Sequence, residues 1–125
     1  MKKSALEDEF VRHVVDSLRD LGAVDVKRMF GGWGLYHQGV FFALVMGGTL
    51  YLKTDERNRP QFDMKGLAAF AFEKGGETIV TAYRAAPGEA LEDRAVMARW
   101  ARGAYEAALR KGAKRPARRR SKEQR

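Results

Sequence analysis

Two histidines, three serines and the adjacent acids Asp8-Glu9 and Glu92-Asp93 are among the side chains whose types could do chemistry, and no cysteine adds a thiolate. Neither His13 nor His37 has a second histidine, a cysteine or a carboxylate at the spacing of a recognised metal motif, so no ligand set for zinc is written in the chain. Both are expected to be structural, His13 on a helix beside its apolar stripe and His37 as a solvated neighbour of a hairpin turn. Ser4, Ser17 and Ser121 fall in a helix cap, a helix and the C-terminal stretch, with no nucleophile-elbow sequence around any of them. Asp8-Glu9 and Glu92-Asp93 stand at helix starts, where the positive end of the helix dipole accounts for acids without catalysis. The expectation is a non-enzymatic protein with no cofactor, no metal and no small-molecule substrate.

Charge is the second chemical signal, and its position matters more than its total. The chain has a formal charge of +8, and residues 110–125 hold nine Lys/Arg against the single acid Glu123. Residues 1–109 balance at fifteen basic and fifteen acidic side chains. A basic body able to hold a nucleic-acid backbone is therefore not expected, whereas the C-terminal stretch suits non-specific phosphate contact. Lys114, Arg115, Arg118, Arg119, Arg120 and Lys122 are the candidate nucleic-acid-binding residues. Dense like charge, Pro116 and the lack of large apolar residues predict that residues 112–125 form a disordered tail after a domain of residues 1–111.

The most specific string is Met29-Phe30-Gly31-Gly32-Trp33-Gly34-Leu35-Tyr36. A glycine-rich loop that cradles phosphate normally feeds a helix N-terminus, and here another strand follows, so a structural turn or bulge is the stronger reading. Phe30 and Leu35 or Tyr36 are expected to pack beside the glycines, and Trp33 is expected to stay exposed for a partner. The other aromatics, Tyr36, Phe41, Phe42, Tyr51, Phe70, Phe72 and Tyr83, could stack nucleobases on an open sheet. Core packing is the favoured use, because the sheet must cover its helices and the body lacks excess positive charge.

These residues need elements to position them. Ser4 and Glu7 fit a capping box, and Leu6, Phe10, Val14, Leu18 and Leu21 form one stripe of a helix over 5–21 that Gly22 can close. Short apolar runs broken by Gly31-Gly32, Gln38-Gly39 and Gly47-Gly48 then predict antiparallel strands over 25–30, 33–37, 40–46 and 49–53. The run 40–46 lacks polar alternation, which predicts a central strand covered on both faces. Thr54-Asp55 can cap a short helix reaching Lys65 with Pro60 in its first turn, and Gly66 ends it. Strands over 69–74 and 78–83 flank Gly75-Gly76, and a last helix from about Glu92 presents Met97, Trp100, Ala101, Ala104 and Ala108 on one face. The outcome is a single α+β domain in two layers: helix, antiparallel strands, helix, two strands, helix.

The glycine string, Leu50-Tyr51-Leu52-Lys53 downstream of it and the stretch from Pro87 to Trp100 together resemble the TfoX/Sxy N-terminal domain family, over roughly residues 10–109. The resemblance implies the same element order in a two-layer arrangement like the secretion-chaperone fold. It further implies regulation of natural competence for DNA uptake, a role of full-length members that carry a C-terminal helical domain with no counterpart in these 125 residues. It supplies no catalytic residues. The expected function is regulatory binding linked to transcription or competence, the alternative a protein-binding or chaperone-like adaptor; a protein partner or homodimer fits either. The N-terminus turns acidic where an export signal needs an apolar run, and the most apolar run, 40–46, falls far short of the ~20 residues of a spanning helix. A cytoplasmic location without membrane contact is expected.

Overall fold

The computed structural model describes residues 8–123, with side chains as far as Gly112. Helix α1, Glu9–Ser17, starts at Asp8, whose carboxylate accepts the Val11 N–H at 3.1 Å. The Ser4/Glu7 capping box lies outside the described residues. The helix stops four residues short of Leu21, because Leu18 leaves helical geometry and Leu18–Gly22 closes as turns, with the Leu21 and Gly22 N–H groups both on the Leu18 carbonyl.

Six strands follow: β1 Asp25–Met29, β2 Gly32–His37, β3 Val40–Met46, β4 Thr49–Lys53, β5 Ala69–Lys74 and β6 Glu77–Ala85. They make one open antiparallel sheet in the order β1-β2-β3-β4-β6-β5. Each sequence-adjacent hairpin closes through two residues, as the pairings Met29 with Gly32, His37 with Val40, Met46 with Thr49 and Lys74 with Glu77 require. Both turn residues have positive φ in all four, from Phe30 (47°) and Gly31 (83°) to Gly75 (58°) and Gly76 (83°). That conformation matches the right-handed strand twist and explains Gln38-Gly39, Gly47-Gly48 and Gly75-Gly76, whereas the first turn falls on Phe30-Gly31, not on the expected Gly31-Gly32, and Gly32 opens β2.

The helices cover one face of the sheet. A short helix α2, Arg59–Met64, follows β4, and the long helix α3, Arg94–Glu123, follows a 3-10 turn at Gly88–Leu91. Pro60 stands in the first turn of α2 as expected, but the N-cap position is Asn58, not Thr54 or Asp55. At α3, Asp93 caps the start by accepting the Ala95 and Val96 N–H groups. Ala101, Ala104 and Ala108 are buried, and their small size lets α3 lie close on β3 and β4. Val11 and Val14 of α1, Leu18 just beyond it and Phe62 of α2 join Leu35, Phe42, Leu50, Leu52 and Met97 in one core. Phe42, Leu35, Leu50 and Leu52 are at most 2% exposed. Burial of each contributes about 2–3 kcal/mol relative to leaving it in water.

The expected element order is thus observed, and β3 is an interior strand with Phe42 through Val45 all buried. Two side chains depart from expectation. Trp33 is only 7% exposed and sits in the core, because β2 pairs with β1 and β3 on both sides and the Arg28 guanidinium covers its ring at 4.2 Å. His37 is buried, not solvated: Nδ1 lies 2.7 Å from the Ala23 carbonyl and the ring meets Tyr105 of α3 edge-on at 4.9 Å. The predicted unfolded stretch, 112–125, falls on residues whose side chains are not described.

Candidate functional site

The glycine string builds the β1–β2 hairpin. Phe30 and Gly31 are its turn, and Phe30 is 92% exposed at the tip, so it does not pack beside the glycines as expected. Gly32 and Gly34 are extended, and their lack of a Cβ serves space rather than φ. A Cβ on Gly32 would run into the Val45 carbonyl oxygen and approach the Met46 sulfur at 2.6 Å. One on Gly34 would stand 3.2 Å from both Met29 and Phe41. Met29, Trp33, Leu35 and Tyr36 are therefore held by strand pairing and packing. The string forms a tightly fitted part of the sheet, with only its turn residues Phe30 and Gly31 presented to solvent.

The face of the sheet without helices carries the aromatics. Tyr36, Phe41 and Tyr83 form one row, with ring centroids 5.2 and 5.5 Å apart, and Tyr51, Phe70 and Phe72 another, at 5.1 and 6.1 Å. Lys27 lies over Tyr36 and Lys53 over Tyr83, at 4.9 and 5.1 Å from the ring centres. Burial, and secondarily the neighbouring Tyr36, pushes the Tyr83 phenol up to about 12. Of the sequence candidates only Phe42 and Trp33 are core residues; the other six pack on each other across the open face.

A second arrangement was not foreseen. The loop from β4 to α2 folds on Asp55 and Asn58: Asn58 Oδ1 accepts the Asp55 N–H at 2.8 Å, and its amide donates to the Lys53 carbonyl at 3.1 Å. Asp55 accepts the Arg57 N–H and receives Arg110 of α3 through two hydrogen bonds, Nε at 2.6 Å and Nη2 at 2.8 Å. The Arg110 hydrogen bond, reinforced by its charge and by backbone N–H donors, outweighs partial burial and lowers the Asp55 carboxyl to about 2. Thus Arg110, counted from sequence among the surplus cations, is tied to the domain.

Beside this clamp α2 and α3 enclose an open cleft of about 940 Å³. Arg57, Gln61 and Lys65 line it from the α2 side, and Arg99, Arg102 and Glu106 from α3. Lys65 pairs with Glu89 at 2.9 Å. Half-buried Trp100 forms part of the wall, its ring packed edge-on against Phe62 at 4.9 Å. The signal for this cleft was the basic outer face of the last helix, which carries Arg99 and Arg102 ahead of the C-terminal stretch. Among the described residues no group of three His, Cys, Asp or Glu could hold a metal, and no helix is long and apolar enough to cross a membrane. His13 Nε2 lies 3.0 Å from the Leu91 carbonyl, joining α1 to the 3-10 turn. The side chains of Lys114, Arg115, Arg118, Arg119, Arg120 and Lys122 lie outside those described.

The architecture is an antiparallel sheet backed by three helices, with its glycine string spent on a hairpin. The TfoX N-terminal domain model matches residues 16–108, and the chain belongs to that family. This is a regulatory-type family, and membership suggests a competence-related role. No curated protein matches the chain.

Proposed function

We propose that this chain is a non-enzymatic regulatory binding domain, linked to transcription or DNA-uptake competence, that contacts nucleic acid through its basic C-terminal stretch without sequence preference. The observation that carries this reading is the segregation of charge: a formally neutral body, then nine cations against one acid in residues 110–125. Family membership supports the regulatory part. Arg110, bound to Asp55, ties the start of that stretch to the β4–α2 loop. Phosphate contacts release counterions, so binding must weaken steeply with salt.

Deleting residues 112–125 removes seven of the nine cations and leaves the Asp55–Arg110 clamp intact. The shortened chain should keep its circular dichroism spectrum and lose most of its affinity for DNA. If the C-terminal stretch alone holds phosphates, the slope of log K against log salt should be no steeper than about −8, the limit for nine phosphate contacts on duplex DNA. Equal affinity of the two chains would sink the assignment to the C-terminal stretch.

A second reading, a protein-binding adaptor, is favoured by the β5–β6 hairpin, where Phe72, Ile79 and Val80 are exposed by 42%, 36% and 66%. Substituting them would then abolish capture of a protein partner while leaving DNA binding unchanged.

A further inference from the structure

The cleft between α2 and α3 holds positive charge that the balance of the whole body conceals. Of its five cationic lining residues, Lys65 and Arg110 are neutralised by Glu89 and Asp55. Arg57, Arg99 and Arg102 are exposed and form no ion pair with any described acid. Glu106 is the one acid among the lining residues.

Gly103, which follows Arg102 on α3 and lines the same cleft, adds an independent observation. A glycine inside a helix costs up to about 1 kcal/mol relative to alanine, so it is usually retained for close packing. Here the nearest atom to a Cβ would be the Asn58 amide nitrogen at 3.9 Å, an ordinary contact. Packing does not require the glycine. Its effect is to keep the floor of the cleft low where Arg99, Arg102 and Glu106 surround it.

We propose that this cleft is a phosphate-backbone site for duplex DNA, in which Arg57, Arg99 and Arg102 hold phosphates and Gly103 lets the backbone approach α3. The proposal rests on the nucleic-acid reading above and gives the domain itself a part in it. Guanidinium forks match phosphate oxygens in geometry and charge. Duplex is favoured over single strands because Trp100, the one aromatic among the lining residues, is half-buried, which limits the ring surface open to an unpaired base. Since α3 carries Arg99 and Arg102 and then runs on into the basic stretch, one duplex can lie along both.

The test uses the full chain and a mixed-sequence DNA duplex of about 20 base pairs, followed by anisotropy across a salt series. The double variant Arg99→Gln/Arg102→Gln should bind roughly 10- to 30-fold more weakly near 0.15 M salt, with the slope reduced in magnitude by about 2. Glu106→Gln should tighten binding several-fold, a gain that misfolding does not produce. Gly103→Gln should raise the melting temperature, because glutamine is the better helix former, and yet weaken binding. If the double variant matches the unsubstituted chain in affinity and slope, the cleft is overturned and the C-terminal stretch stands alone. If the unsubstituted chain ignores duplex DNA even at low salt, the nucleic-acid reading falls and the cleft proposal with it. Binding of polyglutamate as tight as DNA, lost in the same double variant, would instead assign the cleft to an acidic protein.

Discussion

The interior strands β2–β4 and the outer hairpin β5–β6 are written in the same idiom, apolar runs joined by glycine-containing pairs, yet they meet different surroundings. All of β2 except Tyr36 is buried, whereas the last four residues of β5 and the first four of β6 are exposed. Cover by helices makes the difference. Helix α3 lies on β3 and β4, while the hairpin joins the sheet near its base, where Tyr83–Ala85 pair with Tyr51–Lys53 and Ala82 accepts the Thr54 N–H. The strand pattern thus states that a segment will pair, and the length and position of the helices decide whether it will be dry.

The contrast predicts where the molecule breaks. The largest effect is expected at Gly32→Val, whose added carbon meets the Val45 carbonyl, a backbone atom that cannot step aside. A loss of about 3 kcal/mol in a denaturant titration is expected, and an unchanged midpoint would show that the inner sheet is looser than its packing implies.

The ion pairs sharpen the comparison at the next level. Asp55–Arg110 joins the inner sheet to α3 with side chains about a quarter to a third exposed, whereas Arg84–Asp63 ties the hairpin base to α2 with Asp63 57% exposed. Because the folded Asp55 carboxyl titrates near 2, below its usual value near 4, its contribution is present above about pH 4 and is lost as the pH falls toward 2. With allowance for solvent screening, Asp55→Asn should cost about 1–2 kcal/mol at pH 7 and show a shallower acid destabilisation between pH 4 and 2. Arg84→Gln should cost less, below about 1 kcal/mol by the same melting measurement.

The smallest effect belongs to the hairpin tip. Val80→Thr should shift stability by less than about 0.5 kcal/mol, since the side chain is 66% exposed. A loss comparable to that at Gly32 would mean that the hairpin is covered in solution.

Much of the fold was legible because its signals are local. Glycine pairs mark two-residue turns, the apolar run 40–46 marks an interior strand, and alanines at helical spacing mark the face of α3 on the sheet. What escaped depends on contacts between distant segments. His37 looked solvated because it adjoins a turn, and only Ala23 and Tyr105 explain its burial. Trp33 looked exposed among glycines, but two neighbouring strands and Arg28 enclose it. The cleft was invisible for a related reason: counting charge along the chain balances Arg57, Arg99 and Arg102 against acids that fold elsewhere.

The strand order leaves β1 and β5 as the two outer strands, each with one row of backbone N–H and C=O groups unpaired within the described sheet. These margins are unlike in chemistry. Along β1, Asp25, Lys27 and Arg28 place charge on three of five residues, which discourages an incoming chain. Along β5, Ala69-Phe70-Ala71-Phe72 carries none before Glu73. A seventh strand, whether from another copy or another protein, would therefore meet its lower barrier at β5, and main-chain hydrogen bonding alone would specify where it joins.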